Sequence, residues 1–178
     1  GLNSDVTYPS LAGTAVLRFQ LELDSSPEPL SKNDAFGPLL GGSPVMRACF
    51  ALLERAAETS RHVLLEGDTG TGKSIAAEAI HERGARQNEP FLIVDCASLT
   101  AAELESTLFG RESPRRLSVF EEARGGTILL DEISELPLEL QGRLLTVLEK
   151  AELVRAGGTT VEVRARIRHF RVTLQGLL

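Results

Sequence analysis

The stretch Gly67-Asp68-Thr69-Gly70-Thr71-Gly72-Lys73-Ser74 has the residue types and spacing needed to hold a chain of phosphates. It fits G-x-x-x-x-G-K-[ST], in which glycines let the backbone curl so that successive N–H groups face an anion. Lys73 is expected to reach the terminal phosphates and the Ser74 hydroxyl to help hold Mg2+. Farther along, Gly126-Thr127-Ile128-Leu129-Leu130 runs into the paired acids Asp131 and Glu132. In an NTPase the first acid would bind the hydration shell of Mg2+ and the second would polarise an attacking water. Asp95 closes a third apolar run, Phe91-Leu92-Ile93-Val94, at the carboxyl end where open α/β sheets bind ligands. The plain alternatives are a glycine-rich turn and a strand running into a solvated turn. The strand–loop–helix setting of the motif favours the phosphate reading.

Elements that could position these groups are visible around them. His62-Val63-Leu64-Leu65-Glu66 is a short apolar run, as a buried parallel strand requires. Beyond the loop, a helix is expected to start at Lys73 and continue through Ile75-Ala76-Ala77-Glu78-Ala79-Ile80, with its positive dipole end on the phosphates. Upstream, Ser43-Pro44 reads as an N-cap followed by proline at the first helical position. Met46, Phe50, Leu53 and Ala57 then recur at helical spacing, which predicts an amphipathic helix over Pro44 to Thr59 with a core-facing stripe. Thr100-Ala101-Ala102-Glu103 is a capping box opening another helix.

With 178 residues the chain is sized for one domain plus a fragment of another. A net charge of −6 does not mark the surface as a whole for nucleic acid. Cys49 and Cys96 stand far apart and read as buried thiols in a reducing cytoplasm. No two of His62, His81 and His169 share metal-ligand spacing. No apolar run is long enough for a membrane span and no signal peptide is visible.

The ends are less regular. Leu17, Phe19, Leu21 and Leu23 alternate as in a half-buried strand with no obvious partner. The expected organisation is a tail of an upstream β-domain over 1–23, a linker over 24–38 rich in Ser, Pro, Asn and Asp, and the main domain over 39–178. Alternatively, the first strand pairs with the main body. Near the other end Val163, Ala165 and Ile167 alternate with Arg164, Arg166 and Arg168. That pattern suits an edge strand with one solvated face, the alternative being a basic patch for nucleic acid.

From about Leu40 to Ile167 the chain resembles the central AAA+ ATPase domain of bacterial sigma-54-dependent transcription activators. The resemblance is carried by Leu64 to Lys73, Pro90-Phe91, Asp95-Cys96-Ala97, Leu108-Phe109-Gly110 and Phe120-Glu121. It continues through Gly125 to Ile133, Gln141 with Arg143-Leu144-Leu145, and Gly157-Gly158. It implies a three-layer α/β phosphate-loop NTPase of AAA+ type with a parallel sheet. It also implies a cytoplasmic protein that binds ATP or ADP with Mg2+, assembles into a homo-oligomeric ring and remodels RNA polymerase held by sigma-54, touching DNA only indirectly. By this resemblance Gly67, Asp68, Thr69, Gly70, Thr71, Gly72, Lys73 and Ser74 bind the nucleotide. Ser74 and Asp131 serve Mg2+, and Glu132, Asp131 and Asp95 are the catalytic candidates. Arg155 aligns with an arginine placed at a subunit interface.

The chain departs from that pattern at several points. Leu108-Phe109-Gly110 is followed by Arg111-Glu112-Ser113-Pro114-Arg115-Arg116-Leu117 and not by the loop that touches the sigma factor. Ser74 supplies a hydroxyl where Glu is frequent, and Asp95 stands where Asn is common. After Ile167 the expected apolar strand, sensor and arginines are replaced by Arg168-His169-Phe170-Arg171-Val172-Thr173. Charged residues do not suit a strand buried on both faces, so the strand is expected to slide, to leave the sheet or to be missing. The expectation is therefore a sheet of three clear parallel strands with a damaged fourth, incomplete at the C-terminal end. The chain would be truncated or altered in reading frame. It would bind Mg-ATP with weak or no hydrolysis, the alternatives being a non-hydrolysing regulatory remnant and nucleic-acid binding through the arginine-rich tail.

Overall fold

The computed structural model describes residues 18–19, 30–60, 62–68, 70–111, 116–155, 158, 160–162 and 170–173. In chain order the elements are β1 (Arg18–Phe19), β2 (Ala35–Phe36), β3 (Leu39–Leu40), α1 (Pro44–Glu58), β4 (Val63–Glu66) and α2 (Lys73–Arg83). β5 (Phe91–Asp95), α3 (Ala101–Phe109), α4 (Val119–Glu122) and β6 (Thr127–Asp131) follow. A 3-10 turn at Ile133–Glu135 leads to α5 (Leu138–Lys150), β7 (Glu152–Val154), β8 (Thr160–Glu162) and β9 (Phe170–Thr173).

The main sheet has the order β1-β4-β9-β6-β5. β4, β9, β6 and β5 are mutually parallel, and β1 joins the outside of β4 antiparallel. β6 is buried from Thr127 through Leu130, as a central strand covered on both faces must be. Its alternate side chains feed two separate cores. Ile128 and Leu130 pack with Leu104, Leu108, Phe109 and Phe120 and with Leu140, Leu144 and Val147 of α5. Leu129 packs on the other face with Phe36, Phe50, Leu53, Leu65 and Ile80. Helices α1 and α2 thus cover one side of the sheet and α3 to α5 the other, giving three layers.

The helices begin where the sequence predicts them. The Ser43 hydroxyl accepts from the Met46 N–H at 3.2 Å, and Pro44 opens α1. Phe50, Leu53 and Ala57 are buried, with Met46 packed against them. The Thr100–Glu103 capping box forms at α3, and Ser118 with Glu121 makes a second one at α4.

The damaged fourth strand is present in the sheet, within the stretch after Ile167 where it is expected. The strand between β4 and β6 is Phe170–Thr173, paired with Val63–Glu66 over its whole length and with β6 through Arg171 opposite Leu130. The alternating arginine stretch 163–169 lies outside the described residues, so the edge-strand and basic-patch readings fall there too. The stretch expected as a linker contributes to the body at its end. Phe36 is fully buried, and the Gly37 turn between β2 and β3 lies so close to α2 that a Cβ would sit 2.8 Å from the Ala79 Cβ. Ser31 and Asn33 both donate to Glu54 of α1 at 2.8 Å.

Candidate phosphate-loop site

The loop leaves the end of β4 and runs into α2. Gly70 and Gly72 have φ of 82° and 88°, left-handed values that favour glycine. The Thr71 hydroxyl donates to the Asp68 carbonyl at 2.8 Å, closing the loop on itself. α2 has no side-chain cap and no acid in its first turn, so its first N–H groups keep their partial positive charge for an outside acceptor. Leu39 lies beside the loop, its Cδ2 3.4 Å from where a Cβ on Gly72 would be. Thr69 is outside the described residues.

Lys73 is 7% exposed, and its ammonium donates to the carbonyls of Gly67 at 2.9 Å and Asp68 at 2.7 Å. A buried ammonium whose partners here are two neutral carbonyls has no compensating anion in these contacts. Ser74 reaches across to the end of β6, beyond β9 from the phosphate-loop strand, and donates from Oγ to Asp131 Oδ2 at 3.3 Å. These are hard oxygen donors of the kind Mg2+ takes. Among the described residues no group of three or more His, Cys, Asp and Glu could hold a metal ion by itself. One hydroxyl and one carboxylate fit Mg2+ that is completed by phosphate oxygens and water, and do not fit an all-protein cage.

The remaining acids lie at the same edge. Asp95 and Asp131 are register partners at the carboxyl ends of β5 and β6. Asp131 Oδ1 accepts from the Glu132 N–H at 3.2 Å, and Glu132 itself has φ 49° and ψ 48°. Asp95 Oδ1 accepts from the Ala97 N–H at 3.0 Å, in a turn local to its own strand. Beneath these acids Cys96 is buried and free. Burial pushes its thiol up to about 11, with the charges of Asp95 and Asp131 adding in the same direction.

Arg155 is not on an exposed interface. It is 8% exposed and pairs with Glu121, whose other carboxylate oxygen accepts the Ser118 N–H at 2.9 Å and hydroxyl at 3.0 Å. Burial pushes the Glu121 carboxyl up. The Ser118 backbone, the Arg155 guanidinium and the Ser118 hydroxyl outweigh it, and the group lies below its ordinary value. Nearby, Arg143 stacks on the Phe109 ring at 4.0 Å, pairs with Glu105 at 2.5 Å and donates to the Val154 carbonyl at 2.8 Å. Sequence reading missed both clamps, because nothing in spacing joins residues 34 to 38 positions apart. Where the sigma-contact loop was expected, Arg111 bridges antiparallel to Arg116, and the residues between them lie outside the described ones.

Parallel strands, a glycine loop opening a helix and an acid at the carboxyl end of β6, one strand removed from β4, define a phosphate-loop NTPase domain of AAA+ type. The sigma-54 interaction domain matches residues 39–175, and the chain belongs to that family. It is 42% identical over 130 residues to the DNA-binding transcriptional regulator NtrC of Bradyrhizobium sp., covering 69% of this chain and 27% of that protein. It is 44% identical over 137 residues to the Nif-specific regulatory protein of Sinorhizobium fredii, covering 72% of this chain and 23% of that one. The chain thus spans about a quarter of the length of these relatives. Among solved structures, NtrX from Brucella abortus in complex with ADP superposes with a TM-score of 0.71 at 36% identity, over 78% of this chain and 31% of that one. The same protein in complex with ATP gives 0.69 at 37% identity, over 78% of this chain and 32% of that one. Among the described residues no helix is long and apolar enough to cross a membrane.

Proposed function

We propose that this domain binds ATP and ADP with Mg2+ at Gly67 to Ser74 and serves as the ATP-driven part of a sigma-54-dependent transcription regulator. The observation that carries the reading is the convergence of a buried Lys73 and the Ser74–Asp131 contact of 3.3 Å at one strand edge. The loop N–H groups and the α2 N-terminus take the phosphates, and Lys73 exchanges its carbonyl partners for terminal phosphate oxygens. Ser74 and Asp131 would hold Mg2+, which supplies charge neutralisation on the phosphate oxygens. Glu132 orients the attacking water, and Asp95 stands beside Asp131 as a positioning acid. The ADP- and ATP-bound relatives, similar over 78% of this chain, support the nucleotide assignment.

The wider roles are proposals on the same footing. They comprise a cytoplasmic location, RNA polymerase with sigma-54 as partner, a homo-oligomeric ring, and DNA contact made elsewhere in a longer protein. We place the start of the folded body near residue 30, since Ser31 and Phe36 are buried, with β1 as an upstream attachment. Hydrolysis by this chain alone is expected to be slow. A trans-acting arginine supplied by a neighbouring subunit is worth about 10³–10⁵ in rate, and a lone chain has no such neighbour. A second reading, binding without turnover, is favoured by Asp95, whose Oδ1 is engaged by the Ala97 N–H.

Thermal unfolding with and without Mg-ADP tests binding. Saturation at about 100 times Kd adds about 2.7 kcal/mol of stability, and Lys73→Ala is expected to abolish the shift. Phosphate release tests the two readings. Turnover lost in Glu132→Gln with binding retained marks an ATPase, and binding with no turnover in the native chain marks the non-hydrolysing module.

A further inference from the structure

The open side of the phosphate-loop strand is occupied by residues from far upstream. β1 lies antiparallel to β4, with Arg18 opposite Glu66 and Phe19 opposite Leu65. On its other side β4 is paired in parallel with β9 over four register positions. Without β1 the last turn of β4 would present unpaired N–H and C=O groups at the sheet edge, a ready template for another strand. The position of the pairing matters more than its length. Glu66 ends β4, Gly67 follows, and the Gly67 carbonyl is one of the two acceptors of the Lys73 ammonium. One peptide unit therefore separates the β1 ladder from the group that holds Lys73.

We propose that β1 is a detachable clamp on the phosphate-loop strand, through which the chain upstream of Arg18 controls the loop's grip on nucleotide. The nucleotide part rests on the function proposed above, whereas the strand pairing does not. Two features make the clamp detachable. Its ladder is two residues long, against four on the other side of β4, so it opens before the β4–β9 pairing does. It also lies at the edge of the sheet, outside the four parallel strands, so it can leave while the parallel core stays intact. When paired, β1 holds the end of β4 and with it the Gly67 carbonyl, pre-forming the loop. When released, the loop loosens and nucleotide affinity falls.

The test uses the full chain. Of two consecutive strand residues, one directs its N–H at the neighbouring strand, so Arg18→Pro with Phe19→Pro removes that donor whichever it is. Residue-resolved hydrogen exchange is expected to show the Leu65 or Glu66 amide exchanging about tenfold faster, with the β5 and β6 amides unchanged as proof of an intact fold. Affinity for Mg-ADP should weaken by about threefold or more. A second variant, Arg18→Cys with Glu66→Cys, should cross-link on mild oxidation, because facing residues of an antiparallel pair fall within disulfide range. It should bind Mg-ADP at least as tightly oxidised as reduced. Unchanged exchange together with failure to cross-link would overturn the pairing. Faster exchange with unaltered ADP affinity would overturn the control of the loop. Loss of all ADP binding in the native chain, with exchange still responding, would sink the nucleotide reading and leave the strand pairing standing.

Discussion

Glu121 is the residue whose chemistry most depends on its neighbours. Its folded pKa lies below the ordinary value, so its stabilising contribution is fully present above the unfolded pKa and is lost as pH falls through the folded one. The gap in urea midpoint between native and Glu121→Gln is therefore expected to narrow as pH drops below about 4.5. Arg155→Ala leaves a nearly buried carboxylate without its cation and should cost about 3 kcal/mol at neutral pH, read from chemical denaturation. The cysteines are opposite cases. Burial pushes Cys49 up to about 12 and Cys96 up to about 11, so neither should react with a thiol reagent at pH 7.5 until the protein is unfolded. The glycine loop between β4 and α2, and the strand ends at Asp95 and Asp131, were legible in the sequence because each is set by its own local backbone pattern. The Arg155–Glu121 pair was not, since its partners meet only after α5 and β7 have folded back on α4.

The elements divide along the same line. α1, α2 and α3 were legible because each carries its own start signal, Ser43-Pro44, the glycine loop and the Thr100–Glu103 box. β9 was only partly legible, because the charges around it argued against a central place that its pairing with β4 and β6 nevertheless gives it. Its register brings Phe170 opposite Val63 and Val172 opposite Leu65. Beside the apolar core that α3 and α5 share, Arg143 of α5 adds a polar tie to α3. Arg143→Lys keeps the charge but loses the flat face over Phe109 and the fork shared between Glu105 and Val154. It is expected to cost about 1 kcal/mol, visible as a lower Tm. Thr100→Ala, which removes half of the capping box, should cost a similar amount, about 1 kcal/mol.

At the scale of the molecule, two cores share one sheet, and β6 serves both, its neighbouring side chains facing opposite layers. A change at the β6 end is therefore felt by both. Gly126 illustrates this, since a Cβ there would collide with the Pro90 carbonyl that also accepts the Thr127 N–H at 2.9 Å. Gly126→Ala should push β5 and β6 apart, lower stability by about 1–3 kcal/mol and weaken nucleotide binding together with it. At the other end of β6, Glu132 is held in a left-handed backbone that costs an ordinary residue about 1–2 kcal/mol and a glycine almost nothing. Glu132→Gly should raise the melting point by about 1–4 °C while removing the carboxylate proposed to handle water. The sturdiest version of this protein would then lack the carboxylate proposed to orient water, and a screen for heat resistance alone would discard it.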